Sequence, residues 1–333
     1  MNRVLAKPSR AVAARVDWRR GLARLVELRE LALILILGFS IVLMSRLNEN
    51  FLTIGNLRSV LIGMVPGAII AIGMAVLLAS GGFDLSVAAV MALCGTVAAW
   101  LSVHGVGVLG SIVLSLLLGV AIGAVNGALV TFVRVNPLIA TLGTLSAARG
   151  LALVMTEGYN ISDLPSSFVQ LGEGDHLGFP WMVWIMLGLV VLGDLALRHT
   201  RFLRQVYYIG GNERAARLSG IRVDALRVFT YMLSGTLSAL AGVLLAARLS
   251  TAVPTAGQGL ELTVIAAAVI GGASLAGGEG SVLGAVLGVA FLALISNALT
   301  LLDVSIFWQE VVTGIILVAA VSIDMLLRRR QFR

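Results

Sequence analysis

Ten long apolar runs constrain this chain more than any other feature. They lie at about 30–46, 57–80, 85–103, 107–133, 137–156, 180–197, 226–248, 261–276, 281–300 and 307–327. A helix that spans a bilayer takes about 20 apolar residues, with a range of about 17–25. Hydrocarbon offers no partner to a backbone N–H or C=O, so runs of this kind become helices. The chain is therefore read as all-α, a polytopic transmembrane helical bundle of about ten spans. Run 261–276 is short, and the stretch 260–300 leaves room for a broken or re-entrant helix. Composition agrees. The chain is 59% hydrophobic and 12% charged, whereas soluble domains are about 45–50% apolar and about 25% charged. Too little polar surface remains to cover a globule in water.

Charge gives the orientation. Residues 1–29 hold eight basic side chains, the 198–227 stretch seven, the C-terminal tail four, and Arg134 stands alone between two spans. With the N-terminus inside and ten crossings, 20 of the 24 basic residues face the cytoplasm. Cytoplasmic loops carry the Lys/Arg excess, so both termini are placed inside. This divides the chain into a basic cytoplasmic segment 1–29, a transmembrane domain 30–327 and a cytoplasmic tail 328–333. Within the domain, 198–225 is the main internal loop and 157–180 the main external one. The first run has no small-residue cleavage site after it and reads as a helix, not a removable signal. The stretch from Val16 to Leu28 fits an amphipathic surface helix and a solvated basic tail equally well. The net charge of +7 sits beside the apolar runs, as orientation signals do, and does not point to nucleic acid. Loop 157–180 has Glu157, Asp163, Glu173 and Asp175 with no Lys or Arg. Its prolines and glycines suggest an irregular surface for an extracytoplasmic partner.

Several chemistries find no residues here. The chain has one lysine, Lys7, in the leader. A phosphate-binding loop needs a lysine that reaches the nucleotide phosphates, so if ATP drives this protein, a separate subunit must bind it. One cysteine, Cys94, and three scattered histidines, His104, His176 and His199, make no metal site or nucleophile triad. No catalytic residue is assigned. The charged residues of the spans lie near their ends, which lowers the reading as a proton-coupled carrier. The glycines Gly119, Gly123 and Gly127, and Gly284 with Gly288, have the four-residue spacing of close helix packing.

Three stretches carry the functional argument. In Ser80-Gly81-Gly82-Phe83-Asp84-Leu85-Ser86-Val87, two glycines break a helix, and Asp84 or Ser86 can cap the next. In Asn136-Pro137-Leu138-Ile139-Ala140-Thr141-Leu142-Gly143-Thr144, which runs on to Ala148-Arg149-Gly150, the Asn-Pro pair starts a helix. In the internal loop, Asn212 follows Gly210-Gly211 and can cap a short helix closed by Gly220.

With these residues the chain resembles the ribose-type permeases of ABC importers, the carbohydrate and autoinducer-2 permeases related to branched-chain amino acid permeases. The stretch Ala268-Val269-Ile270-Gly271-Gly272-Ala273-Ser274 through Gly277-Gly278-Glu279-Gly280, and Phe307-Trp308-Gln309, extend the resemblance over about 30–327. Ala88, Gln205 and Tyr207 depart from the family pattern, and none removes an obvious chemical group.

The resemblance implies a membrane-spanning subunit that moves a monosaccharide or similar polyol inward, with autoinducer-2, a sugar alcohol or a nucleoside as alternative cargo. It implies a second permease chain, an extracytoplasmic sugar-binding protein, and a separate ATPase subunit that holds ATP and magnesium. This chain would hold no cofactor. It also implies that the helix of Asn212, Glu213, Arg214, Ala215, Ala216, Arg217, Leu218, Ser219 and Gly220 docks on that ATPase, with Glu213, Arg214 and Arg217 offering ion pairs and Ala215, Ala216 and Leu218 packing. Candidates for the translocation path are Asp84, Ser86, Asn136, Thr141, Thr144 and Asn297.

Overall fold

The computed structural model describes residues 30–331. The leader 1–29, including the stretch from Val16 to Leu28, and the last two residues lie outside the described residues. Each of the ten apolar runs is a helix: α1 (Glu30–Leu47), α2 (Ile54–Ala79), α3 (Val87–Val103), α4 (Val108–Thr131), α5 (Pro137–Thr156), α7 (Trp181–His199), α10 (Val223–Leu249), α11 (Leu260–Ile270), α12 (Val282–Leu301) and α13 (Ile306–Gln331). Seven of them are long and apolar enough to cross a membrane by themselves. The protein is a polytopic membrane bundle.

Three further helices connect the spans: α6 (Ser166–Glu173), α8 (Arg201–Gly211) and α9 (Glu213–Leu218). Loop 157–180 is thus more ordered than its prolines and glycines suggest. Phe168 of α6 is fully buried among Ala98, Val243 and Ala247, which pins the helix down. A two-stranded turn, β1 (Asp175–His176) with β2 (Phe179–Pro180), follows it.

α2 is the axis of the bundle. Every residue from Met64 to Ala79 is buried, so this part of the helix has no lipid-facing stripe and reads as apolar all round. α10 lies against α2, α3 and α4. The glycine spacing on α4 explains the closeness of one of these contacts. A methyl group added at Gly123 would lie 2.3 Å from the Tyr231 carbonyl oxygen, and Gly119 and Gly127 meet Gly235 and Val228 in the same way. On the outside of the bundle, Leu109, Leu117, Val154, Ile315 and Val318 are exposed, as lipid or a neighbouring chain requires.

Polar contacts gather at two ends. At one, Ser281 donates to Glu30, Arg198 pairs with Glu30 and Asp194, and Gly278 N–H donates to the Ala79 carbonyl. At the other, Asn48 donates to the Leu301 carbonyl, Arg58 pairs with Asp175, and Ile161 bridges to Ala252. Successive helix ends alternate between these two faces.

α11 is the exception in length. Eleven residues span about 16 Å, half of the hydrocarbon core. Irregular segments on both sides complete the passage. Such backbone survives at membrane depth where protein shields it. Arg149 does this on one side, donating to the carbonyls of Pro254 and Ala256 at 3.0 Å each. The stretch expected to hold a broken or re-entrant helix is therefore a short helix with irregular flanks that are buried only in part.

Candidate functional site

The 80–86 segment starts where α2 stops. Gly81 takes φ +78°, a conformation that costs glycine nothing and a side-chained residue more. Asp84 and Ser86 are buried. Asp84 Oδ1 accepts from the Ser86 N–H at 2.8 Å and from the Ser86 hydroxyl at 2.6 Å. Asp84 thus caps the start of α3, while Ser86 occupies the cap position without a capping bond of its own.

A residue missed in the sequence joins this pair. Asn126, five residues before the end of α4, is fully buried. Its amide donates to Ser86 Oγ at 3.0 Å, and its carbonyl oxygen accepts from the Thr144 hydroxyl. Asp84, Ser86, Asn126 and Thr144 form one hydrogen-bonded chain from α3 through α4 to α5. The signal was an amide inside an apolar run, and a polar group at that depth is rarely idle.

The other path candidates lie apart from this chain. Asn136 caps α5, accepting from the Leu138 N–H at 2.9 Å, and is exposed. Thr141 is buried and donates to the Pro137 carbonyl within its own helix. Asn297 exchanges two amide hydrogen bonds with Asn56 on the opposite face, at 3.0 and 2.7 Å. These are helix-building and helix-joining roles. Asp84, Ser86 and Asn126 are closed to solvent in this conformation, and Thr144 is half-buried at the end of the chain.

The second cluster surrounds α9. Asn212 Oδ1 accepts from the Ala215 N–H at 3.0 Å, and Gly220 takes φ +81° beyond the helix end, as the residues imply. The charges are arranged differently from the expectation. Glu213 and Arg217 pair within the chain: Glu213 with Arg227 at 2.7 Å and with Arg217 at 2.9 Å, and Arg217 with Asp224 at 2.5 Å. The hydrogen bond from Arg227, aided by Arg217, holds the Glu213 carboxyl below its usual range. Ala216 is buried in the main core, which makes it an inward anchor. Leu218 is 90% exposed, and Arg214 and Ala215 are exposed beside it. Beside α9, the end of α4 and the start of α10 enclose an open cleft of about 490 Å³, lined by Arg134, Glu213, Arg217, Asp224 and Arg227.

α8 was also missed. Val206 and Ile209 are buried under it, Tyr207 donates to the Gly280 carbonyl at 2.8 Å, and a methyl group at Gly210 would lie 2.1 Å from the Ala79 carbonyl oxygen. Its signal was the apolar spacing of Phe202, Val206 and Ile209 among arginines.

Residues 32–321 match the family described as the permease component of the branched-chain amino acid transport system. The chain belongs to this family. Among relatives of this permease, the ribose import permease protein of Escherichia coli is 42% identical over 307 residues, covering 91% of this chain and 94% of that protein. That of Bacillus subtilis is 42% identical over 287 residues, 85% and 89% of the two chains. The L-arabinose transport system permease protein of Escherichia coli is 38% identical over 283 residues, 83% and 84%. The chain is thus the membrane-embedded permease component of an ABC importer, homologous to inner-membrane proteins of bacteria, and a transport subunit without catalysis of its own. Importers of this kind also comprise an ATPase and a binding protein.

Proposed function

We propose that this permease carries a monosaccharide of pentose size into the cytoplasm, and that α9 is where a separate ATPase subunit, holding ATP and magnesium, drives it. The observation that carries the cargo reading is the relationship, over more than four-fifths of the chain, to permeases named for ribose and L-arabinose. The chemistry of the interior is in keeping with it. Asp84, Ser86, Asn126 and Thr144 supply hydroxyl, amide and carboxylate groups suited to a neutral polyol, with no cation among them to hold an anionic cargo.

In this reading the binding protein delivers the sugar to the face that carries α6 and loop 157–180. Two permease chains, identical or similar, enclose the path. Leu218, Ala215 and Arg214 face the ATPase, because they are the α9 side chains left free by the pairing of Glu213 and Arg217 and the burial of Ala216. A solvent-exposed leucine on a capped, charged helix is a ready anchor for a partner groove.

Two measurements test this. Leu218→Glu is expected to abolish co-purification of the ATPase subunit and to leave membrane insertion intact; full co-purification rejects α9 as the docking helix. Uptake by cells that depend on this permease should be competed by D-ribose or L-arabinose. Competition by nucleosides, sugar alcohols or autoinducer-2 alone rejects the cargo reading.

A further inference from the structure

Asp224, Arg227 and Tyr231 stand at positions i, i+3 and i+7 of α10, on one face of the helix. α9 grips the first two, through Arg217 to Asp224 at 2.5 Å and Glu213 to Arg227 at 2.7 Å. The third grips the 80–86 segment. Tyr231 is fully buried, and its hydroxyl donates to the Phe83 carbonyl at 3.0 Å and accepts from the Phe83 N–H at 3.3 Å. Beside it, the Thr230 and Ser80 hydroxyls lie 3.4 Å apart. The two grips are about 6 Å apart along the helix, one turn of rigid backbone.

The 80–86 segment is neither helix nor strand, so Phe83 has no regular ladder to satisfy its polar groups. A buried backbone group must find a partner, and one tyrosine hydroxyl serves both. The next residue, Asp84, begins the hydrogen-bonded chain to Ser86, Asn126 and Thr144. On the α4 side, Gly123 and Gly127 put bare backbone against Tyr231 and Val228. No side chain from those two positions bars a slide of α10 there.

We propose that Tyr231 is the positioning residue through which movement of α9 reaches the 80–86 segment and the polar chain that starts at Asp84. The proposal rests on the reading of α9 as the ATPase-docking helix. A displacement of α9 carries the first two turns of α10 through the Glu213 and Arg217 ion pairs. Tyr231 then moves Phe83, and with it the junction of α2 and α3. Contiguity of this kind describes a route, and coupling between its ends has to be measured.

The test uses the complex of the full chain with its ATPase subunit. Cys94 is the only cysteine of the chain and is buried, so a thiol introduced by Phe83→Cys is read without interference. The groups of Phe83 that bond Tyr231 are its backbone N–H and C=O, and the substitution leaves those bonds in place. Maleimide labelling at position 83 is followed with and without ATP plus vanadate. Nucleotide should change the labelling rate by about fivefold or more with Tyr231 present, and by under about twofold after Tyr231→Phe, which corresponds to the loss of an ordinary coupling energy. The ATPase should co-purify equally in both. A purely structural loss would reduce assembly instead of removing the nucleotide response. An unchanged response after Tyr231→Phe overturns the proposal, as does the absence of any response with Tyr231 present. Should Tyr231→Phe fail to assemble, Asp224→Asn combined with Arg227→Gln removes both ion pairs to α9, cuts the same route at its other grip and is judged by the same response. Normal co-purification with Leu218→Glu would overturn the docking reading instead, and that arm is read without the thiol.

Discussion

At the scale of the residue, Asn126 and Asn136 show what an asparagine does in two places. Asn136 caps a helix at an exposed end, where the cap contributes about 1 kcal/mol. Asn126 holds Ser86 and Thr144 at once in a buried site. Asn126→Leu removes both bonds, while the Ser86 hydroxyl keeps Asp84 and the half-buried Thr144 hydroxyl keeps the Ala140 carbonyl, so the cost is that of two lost hydrogen bonds, about 0.5–1.5 kcal/mol each. Thermal unfolding of the purified permease should therefore fall clearly for Asn126→Leu and only slightly for Asn136→Ala; equal effects would refute the assignment. Asp84 and Ser86 were legible in the sequence because a broken helix needs a cap. Asn126 was not, because its partners lie 40 and 18 residues away, and only packing brings them together. Glu213 gives a prediction in pH. Its carboxyl is held below the usual range by Arg227 and Arg217, so the folded state releases its proton more readily than the unfolded chain does. The stabilisation is complete above the unfolded pKa and is lost as the pH falls through the folded one. Protection from hydrogen exchange in α9, taken relative to the intrinsic rate at each pH, should fall with acidification, and Glu213→Gln should show that lower protection already at neutral pH and vary less with pH. The side chain is 41% exposed, so the effect is small.

At the scale of the element, the ten apolar helices were legible because hydrocarbon leaves an apolar run no structure but the helix. The connecting helices were less so. α6 and α8 are 8 and 11 residues long, and helices that short owe their stability to tertiary packing more than to propensity. Phe168 under α6 and Ile209 under α8 supply that packing. The pairing of Glu213 and Arg217 was hidden for a related reason: Asp224 and Arg227 belong to the next helix, and the α9 residues alone look free for a partner. The glycine spacing of α4 predicts its contact with α10 closely enough to be broken at will. At Gly123 even a methyl group would meet the Tyr231 carbonyl oxygen at 2.3 Å, backbone that cannot step aside cheaply. Gly123→Leu should separate α4 from α10 and prevent accumulation of folded protein. Gly143→Leu should be tolerated, since a side chain there meets nothing within 4 Å. Similar yields of the two variants would show that the α4–α10 contact is not close in the folded protein.

At the scale of the whole molecule, the charge count and the polar contacts are independent and agree. The charge count separates 20 basic residues from four. The contacts separate Glu30, Ala79, Arg198 and Gly278 from Asn48, Arg58, Ile161 and Leu301, with no reference to charge sign. The short helix α11 matters here, because an odd number of crossings would place α13 and its arginine-rich end on the wrong side. It passes from the Ala252 side to the Gly278 side only with its irregular flanks, and the count of ten depends on that passage. A thiol introduced by Tyr159→Cys, at an exposed site beside the Ile161 bridge, should react with an impermeant maleimide in intact spheroplasts. One introduced by Arg214→Cys, exposed on α9, should react only after permeabilisation. One introduced by Gln331→Cys at the end of α13 should behave like the second. If it behaves like the first, α11 returns to the face from which it enters. The chain would then have nine crossings, and the positive charge of its tail would lie outside.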